Sequence, residues 1–374
     1  MEYVKENIFP IAVFGLLLFG LAVLSTASAP LAYRETGDAA YFLKRQLTNG
    51  VLPGVAAFLL ASYFPYQRLK RFALPLMFVS LVLLFALFIP GLGVSVNEAT
   101  RWLDIGPFSF QPAEIVKLTF IVYLAALFAS RKEDVARVEG GLIPFLVVSG
   151  IVSALLVAQP NLGTLVIIGS AALAVYFAAG ARLTHIAFVI LLAALCFVAY
   201  IWTTGYKIDR LLTFVHPAAA DTLGAGYHIG KTTLAIEAGG LFGLGFGSSQ
   251  QTIGVYLPEP MGDSIFALIA AEFGFLGALG TLALFVVFAW YGLRIARSSP
   301  DMFGKLVACG IVSWIMVQSF VNIGSMSGLL PLTGVPLPFV SYGGSALVVV
   351  LTACGIMYNI QRTHRTSIVR DQKP

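Results

Sequence analysis

The sequence predicts an all-α integral membrane protein that crosses the bilayer about ten times as a single domain, residues 1–374. Of its 374 residues, 58% are hydrophobic and only 11% are charged, whereas about 25% of the residues in soluble domains are charged. The apolar residues form long blocks, and the mean hydropathy of the chain is +0.89. Blocks of about 20 apolar residues can cross the hydrocarbon core as helices.

Ten apolar blocks are long enough to be membrane spans. In chain order they cover residues 8–27, 50–64, 73–90, 112–130, 142–158, 162–180, 184–203, 264–293, 304–324 and 343–361. The longest connection, residues 204–263, separates the seventh and eighth blocks. Because long ordered loops usually carry function, we expect this loop to contribute to a site.

The distribution of basic residues predicts the orientation, since Lys and Arg are retained on the cytoplasmic side. With the N-terminus inside, the inner segments hold 15 Lys and Arg residues and the outer segments hold 7. Both termini are therefore predicted to be cytoplasmic, and the loop 204–263 extracytoplasmic. The net charge of +5 is scattered over the connections and forms no stripe that could follow a nucleic-acid backbone, so no nucleic-acid partner is expected.

Three ionisable residues, Glu114, Lys117 and Glu272, lie inside the predicted spans. Inserting a charged side chain at that depth costs about 2.5–3.5 kcal/mol of free energy, so each of these residues is a functional candidate. Glu114 and Lys117 share one helix face at i, i+3 spacing, so they form either a structural ion pair or part of a site for an anionic headgroup. Glu272 is predicted to be buried and hydrogen-bonded.

The outer segments contain two further candidates, each with a structural and a functional interpretation. Arg101 and Trp102 are either an interfacial anchor or a phosphate-binding element. Asp263 ends the long loop where the eighth span begins, so it is a helix N-cap, a general base in an outward cavity, or both. The proline-rich segment 322–345 is predicted to form a rigid, extended lid or cavity wall on the outer side. The glycines of Gly243-Leu244-Gly245-Phe246-Gly247 are expected to allow close packing or positive φ, because no βαβ unit precedes them.

Together these motifs resemble the SEDS family (shape, elongation, division and sporulation), of the FtsW and RodA type, with the FtsW branch slightly favoured by residues 41–47. The residues that carry the resemblance are Ala99-Thr100-Arg101-Trp102-Leu103, Gln111-Pro112-Ala113-Glu114 with Lys117, Gln159-Pro160-Asn161-Leu162-Gly163-Thr164, Gly239-Gly240-Leu241-Phe242-Gly243, Leu257-Pro258-Glu259 with Asp263, Gly334-Val335-Pro336-Leu337-Pro338-Phe339 and Ser341-Tyr342-Gly343-Gly344-Ser345.

The resemblance implies a peptidoglycan glycosyltransferase of the bacterial cytoplasmic membrane, which polymerises lipid II at the outer face and works with a class B penicillin-binding transpeptidase. It implies that Asp263 is catalytic and that Trp102 is functionally important. The chain departs from the family at Met261-Gly262, where relatives often have His-Thr, and at His228 and Lys231, where many relatives have uncharged polar residues.

We expect the substrate to bind outer-side cations and neighbouring polar residues, because fixed donors stabilise a departing pyrophosphate. The candidate substrate-binding residues are Arg101, Trp102, Glu114, Lys117, Arg210, Lys231 and Glu259, with Glu259 also the alternative acid to Asp263. No cofactor is assigned, and Mg²⁺ or Mn²⁺ is left open. Two rival functions also stay open: a lipid II flippase, and a non-catalytic scaffold that activates a penicillin-binding protein.

Overall fold

Long helices dominate the chain, as the apolar blocks predict. The computed structural model describes residues 2–96, 99–105, 108–204, 225–248 and 257–371. In chain order the helices are α1 (Glu2–Thr36), α2 (Tyr41–Gln46), α3 (Leu52–Tyr63), α4 (Tyr66–Ala86), α5 (Pro112–Arg131), α6 (Ile143–Ala158), α7 (Leu162–Ala178), α8 (Leu183–Thr204), α9 (Ala225–Gly239), α10 (Ile265–Arg297), α11 (Met302–Met326) and α12 (Gly344–Asp371).

A helix lies at the position of each of the ten predicted spans, and eight of these helices could cross a membrane by length and composition. Within the described ranges, eight helices are long and apolar enough to cross a membrane: α1, α4, α5, α6 together with the π-helical turn Val138–Leu142 that precedes it, α8, α10, α11 and α12. The remaining two predicted spans are shorter helices. One is α7, with 17 residues, and the other is α3, which continues α2 through a π-helical turn at Leu47–Val51. The prediction of a polytopic helical protein is confirmed.

Burial separates central helices from peripheral ones. In α5 and α11, 67% of the apolar stretch is buried inside the protein, whereas in α8 the share is only 6%. α11 packs against α5, α7 and α10, and its Trp314 side chain is fully buried. The polar groups of α5 and α11 are therefore shielded from lipid, while the apolar side chains of α8 are left to face it.

A small antiparallel sheet precedes α5, and the all-α prediction did not include it. It consists of β1 (Gly93–Val96), β2 (Ala99–Ile105) and β3 (Phe108–Phe110), in the order β1-β2-β3. The register shifts between Val94 and Ser95, and Trp102 pairs with Val94. β1 and β3 have only four and three residues, too few for a period of two to be recognised, and the polar residues of β2 were interpreted as an outer connection. The sheet brings Arg101 and Trp102 next to the start of α5.

The eighth predicted span, α10, is broken rather than continuous. Gly274 interrupts it with φ +67° and ψ −164°. A mid-helix break at membrane depth leaves backbone groups without their helical partners, and only protein or water can satisfy them. The sequence analysis predicted a single regular span here, because an isolated glycine does not by itself show that a helix is interrupted.

The glycine-rich segment at the end of α9, residues 239–247, forms hydrogen bonds with the backbone groups that the break in α10 leaves without helical partners. The amide groups of Leu244 and Gly245 donate to the carbonyl oxygens of Ala271 and Glu272, at 2.9 and 3.0 Å. On the other side of the break, Phe275 N donates to Gly240 O at 2.9 Å. Gly243, Gly245 and Gly247 all have positive φ, so the prediction that these glycines serve backbone conformation and close packing is confirmed.

Gly243→Ala should destabilise the docking of this segment on α10. The added methyl group would contact the Glu272 carbonyl, in a backbone conformation with φ +84°, and a side chain in the left-handed region costs about 1–2 kcal/mol. We expect a lower thermal unfolding midpoint in detergent. The matched control is Gly230→Ala in α9, where the new methyl meets nothing within 4 Å and the midpoint should be kept or raised. Equal midpoints for the two variants would contradict the docking.

Candidate functional site

A cavity of about 500 Å³ joins most of the residues singled out in the sequence. It is bounded by β2, the first turns of α5 and α7, α9, the loop before α10, and the segment between α11 and α12. The polar and aromatic residues that line it include Arg101, Trp102, Gln111, Glu114, Lys117, Asn161, Thr164, His228, Glu259, Asp263, Gln318, Thr333, Tyr342 and Ser345.

A buried ion pair forms one wall of the cavity. Lys117 Nζ lies 2.7 Å from Glu114 Oε2, and the two side chains are 2% and 5% exposed. Lys117 also donates to Gln318 Oε1 at 2.9 Å, and Trp314 Nε1 donates to the same oxygen at 2.8 Å. The Gln318 amide then donates to Pro336 O at 2.9 Å. The pair is therefore part of a network that connects α5, α11 and the cavity wall.

Arg101 and Trp102 are half-buried on β2, and Arg101 lies beside the residues that directly precede α7. The guanidinium of Arg101 donates to Pro160 O at 2.5 Å and contacts Gln159 O at 3.5 Å. Asn161 begins α7 and accepts a hydrogen bond from Thr164 N through its side chain. The contacts with Gln159 O and Pro160 O hold the Arg101 guanidinium in place as a charged group of the cavity lining.

Asp263 lies in the turn that leads into α10. Gly262 N and Ser264 N both donate to Glu259 O, at 2.9 and 3.3 Å, and Glu259 has φ +47°. The N-cap position of α10 is occupied by Ser264, so the interpretation of Asp263 as the helix N-cap is wrong. Asp263 lines the cavity, and its role as a general base stays a prediction.

The main chain around Asp263 is tied to the opposite side of the cavity. Tyr342 N donates to Met261 O at 2.8 Å, and the Ser341 hydroxyl donates to Gly262 O at 2.6 Å. Asn322 Nδ2 donates to Asp263 O and to Val335 O, both at 2.8 Å. All of these bonds reach carbonyl oxygens, so they hold the backbone of the turn and not the Asp263 carboxylate.

The segment between α11 and α12 forms the predicted cavity wall. Residues 333–336 line the cavity, and a Cβ placed on Gly334 would lie 3.9 Å from Asp263 Oδ2. The prediction placed the start of this segment at residue 322, whereas α11 continues to Met326. Tyr342 also lines the cavity; burial raises the pKa of its phenol, so the phenol keeps its proton at neutral pH.

Two candidates lie outside the cavity lining, and a third cannot be placed. Glu272 is buried, and Thr26 donates to its Oε2 at 2.9 Å across the contact between α1 and α10, so its prediction is confirmed. Lys231 is not among the residues that line the cavity; its ammonium lies 5.3 Å from the centre of the Tyr227 ring. Arg210 lies outside the described residues.

The sequence analysis gave no role to His228, Gln318 or Asn161, which the structure places in the cavity lining. Gln318 and Asn161 are buried polar residues in or beside apolar spans, and an amide at that depth is a signal that a search for charges alone overlooks. Across the part of the chain that the structure describes, no three His, Cys, Asp or Glu side chains are grouped to hold a metal ion.

Comparison with known proteins agrees with this geometry. The FtsW/RodA/SpoVE family model, described as "Cell cycle protein", matches residues 7–366. Stage V sporulation protein E of Bacillus subtilis is 37% identical over 94% of this chain and 95% of its own length. A probable peptidoglycan glycosyltransferase FtsW of Trichlorobacter lovleyi is 36% identical over 93% and 91%.

Two solved structures are similar along nearly the whole chain. A chain of a peptidoglycan synthase complex, solved in a study of how polymerization and crosslinking are coordinated, superposes with a TM-score of 0.76, 26% identity, and coverage of 94% of this chain and 98% of that one. The rod shape determining protein RodA of Thermus thermophilus superposes with a TM-score of 0.70, 25% identity, and coverage of 96% and 97%.

Lys117→Met should destabilise the protein strongly, because it leaves the Glu114 charge buried without its partner. Breaking a buried pair in this way typically costs about 3–5 kcal/mol. The double variant Glu114→Gln/Lys117→Met removes both charges and should recover much of the loss in thermal unfolding measurements. As a control, Arg137→Met breaks the exposed Arg137–Asp134 pair and should cost less than about 1 kcal/mol. A double variant no more stable than Lys117→Met would disprove the charge argument.

Proposed function

This chain belongs to the FtsW/RodA/SpoVE family of cell cycle proteins, and from that premise we propose that it is a peptidoglycan glycosyltransferase that polymerises lipid II. The observation that carries the proposal is the single cavity that brings the carboxylate of Asp263 together with the cations Arg101 and Lys117. A glycosyl transfer from a lipid pyrophosphate requires a base for the attacking hydroxyl and positive groups for the leaving phosphates.

The proposed reaction joins two lipid-linked sugars. The hydroxyl oxygen of one sugar attacks the anomeric carbon of the other, and Asp263 takes the hydroxyl proton. The bond from the anomeric carbon to the phosphate oxygen breaks, and its electron pair stays on the polyprenyl pyrophosphate. Glu259, which also lines the cavity, is the alternative acid, but Pro258 and Pro260 restrict its backbone.

The remaining candidates receive roles in substrate binding. Arg101 is proposed to hold the pyrophosphate, with Trp102 beside it, and the Glu114–Lys117 pair to form the charged wall that faces the substrate. Lys231 and Arg210 are kept as proposed pyrophosphate contacts from the long outer loop, although the cavity lining does not include Lys231. Substrate contacts by Lys231 would require α9 or its side chain to take another position.

We further propose that the chain lies in the bacterial cytoplasmic membrane with both termini in the cytoplasm, so that the cavity opens outward. The excess of Lys and Arg on the inner segments supports this orientation. A class B penicillin-binding transpeptidase is the proposed partner, and the similarity to a chain of a peptidoglycan synthase complex supports it. In such a pair, glycan strands made at the cavity would be crosslinked nearby.

Asp263→Asn should lower polymerisation of purified lipid II in detergent by at least about 100-fold, the lower end of the contribution of general-base catalysis. The amide cannot take the proton from the attacking hydroxyl, so activity should fall. Because the amide has nearly the same size as the carboxylate, expression and thermal stability should be unchanged. Polymerisation is followed by gel separation of the glycan strands. Near-normal activity would remove the base role and direct the test to Glu259.

The two rival functions are tested with the unaltered protein. Transport of labelled lipid II across vesicle membranes without polymerisation would identify a flippase, and the absence of both activities would indicate a scaffold.

The orientation predicts which single cysteines an impermeant maleimide can reach. In a background with Cys196, Cys309 and Cys354 replaced, Ser109→Cys on β3 should react in intact cells, because the sheet lies on the outer side. Glu139→Cys, in the connection between α5 and α6, should react only after the cells are opened. Both positions are solvent-exposed in the structure. The reverse pattern would invert the topology and place the cavity on the cytoplasmic side.

A further inference from the structure

One hydroxyl group closes the turn that carries Asp263. Ser264 Oγ donates to Pro258 O at 2.6 Å, and the same oxygen lies 2.6 Å from His228 Nε2 on α9. Ser264 is fully buried. It stands at the N-cap position of α10, yet its side chain makes no capping hydrogen bond. Instead, the hydroxyl connects Pro258, at the start of the turn, to His228 on the neighbouring helix α9.

The number of protons fixes the direction of these two bonds. A hydroxyl has one proton to donate, and a backbone carbonyl can only accept. Because the Ser264 proton goes to Pro258 O, the Ser264 oxygen must accept from His228 Nε2–H. The hydrogen-bond network therefore assigns a proton to Nε2 in the neutral imidazole as well as in the imidazolium. The bond to Ser264 persists whichever charge state His228 adopts.

The His228 bond supports the turn from a side that the other bonds do not reach. The bonds from Asn322, Ser341 and Tyr342 hold it from α11 and the segment before α12. Among the described residues, His228 is the α9 side chain that holds it through Ser264. Asp263 lies directly before Ser264 in the chain, between these two sets of supports.

We propose that His228 is a positioning residue, which acts through the Ser264 hydroxyl to fix Asp263 for proton removal. This inference rests on the proposed function, in which Asp263 is the base. A catalytic group must be held to about 0.5 Å, and a displacement of about 1 Å can cost roughly 100-fold in rate. Loss of the His228 bond therefore acts on the chemical step more than on binding of the lipid-linked sugar.

Two substitutions of similar length separate the hydrogen bond from the packing. His228→Met fills the space without a donor, whereas His228→Gln offers an amide N–H group to Ser264. We expect His228→Met to lower kcat by about 10-fold, with KM for lipid II changed less than about 2-fold, because a contribution made in the transition state appears in kcat. His228→Gln should recover kcat to within about 3-fold of the unaltered protein.

Ser264→Ala tests the same bond from its other end, and it replaces the histidine variants if His228→Met does not fold. Ser264→Ala removes the bond to Pro258 O as well as the bond from His228. The double variant His228→Met/Ser264→Ala should therefore be no slower than Ser264→Ala alone, because that single variant has already removed the His228 bond. Glu237→Gln is the matched control: this exposed residue lies on the same helix and outside the cavity lining, so kcat should not change. Thermal unfolding midpoints are recorded for every variant.

The outcomes distinguish the positioning role from the function on which it rests. Unchanged kcat in His228→Met, equal losses in the Met and Gln variants, or losses that multiply in the double variant would each overturn the role of His228 while Asp263→Asn stays inactive. If the unaltered protein does not polymerise lipid II, the proposed function fails and the positioning role fails with it. If Asp263→Asn remains active, Asp263 is not the base, and the positioning role fails while the polymerase function stands.

Discussion

Backbone polar groups at membrane depth have to find their partners in the protein or in water, because the hydrocarbon core offers none. The break in α10 shows how strongly this constraint acts. At Gly274 the helix loses its regular hydrogen bonds, and the glycine-rich segment after α9 supplies both donors and acceptors to the exposed backbone. That segment can approach so closely only without side chains at Gly239 and Gly243. The same docking fixes α9, and with it His228, beside the cavity.

The same constraint explains how the cavity can be charged without destabilising the bundle. Lys117 and Glu114 neutralise each other, and the Lys117 ammonium donates a further hydrogen bond to Gln318 Oε1. Gln318 in turn reaches the main chain of Pro336 in the cavity wall. A buried pair of this kind is weak evidence for stability in itself. Here the pair holds elements in position: through Gln318 it connects α5 and α11 to the segment between α11 and α12 that faces Asp263.

Composition and apolar block length predicted the helical spans, because the bilayer alone dictates their length and hydrophobicity. The break at Gly274 was not predictable, since it depends on a distant segment that satisfies it. Motifs predicted Asp263, Arg101 and the Glu114–Lys117 pair as members of one site, and the cavity brings them together. The position of Lys231 was not predictable, because the rotation of α9 about its axis is set by its packing on α10.

The charges of the cavity have a consequence for the proposed reaction. Its described lining contains two cations, Arg101 and Lys117, and three carboxylates, Glu114, Glu259 and Asp263. Lys117 is already paired with Glu114, so a departing pyrophosphate enters a region with little positive charge to spare. Proton transfer to Asp263 removes one negative charge from the lining as the negative charge on the leaving group develops. A base at this position therefore lowers the electrostatic cost of the departure as well as activating the hydroxyl.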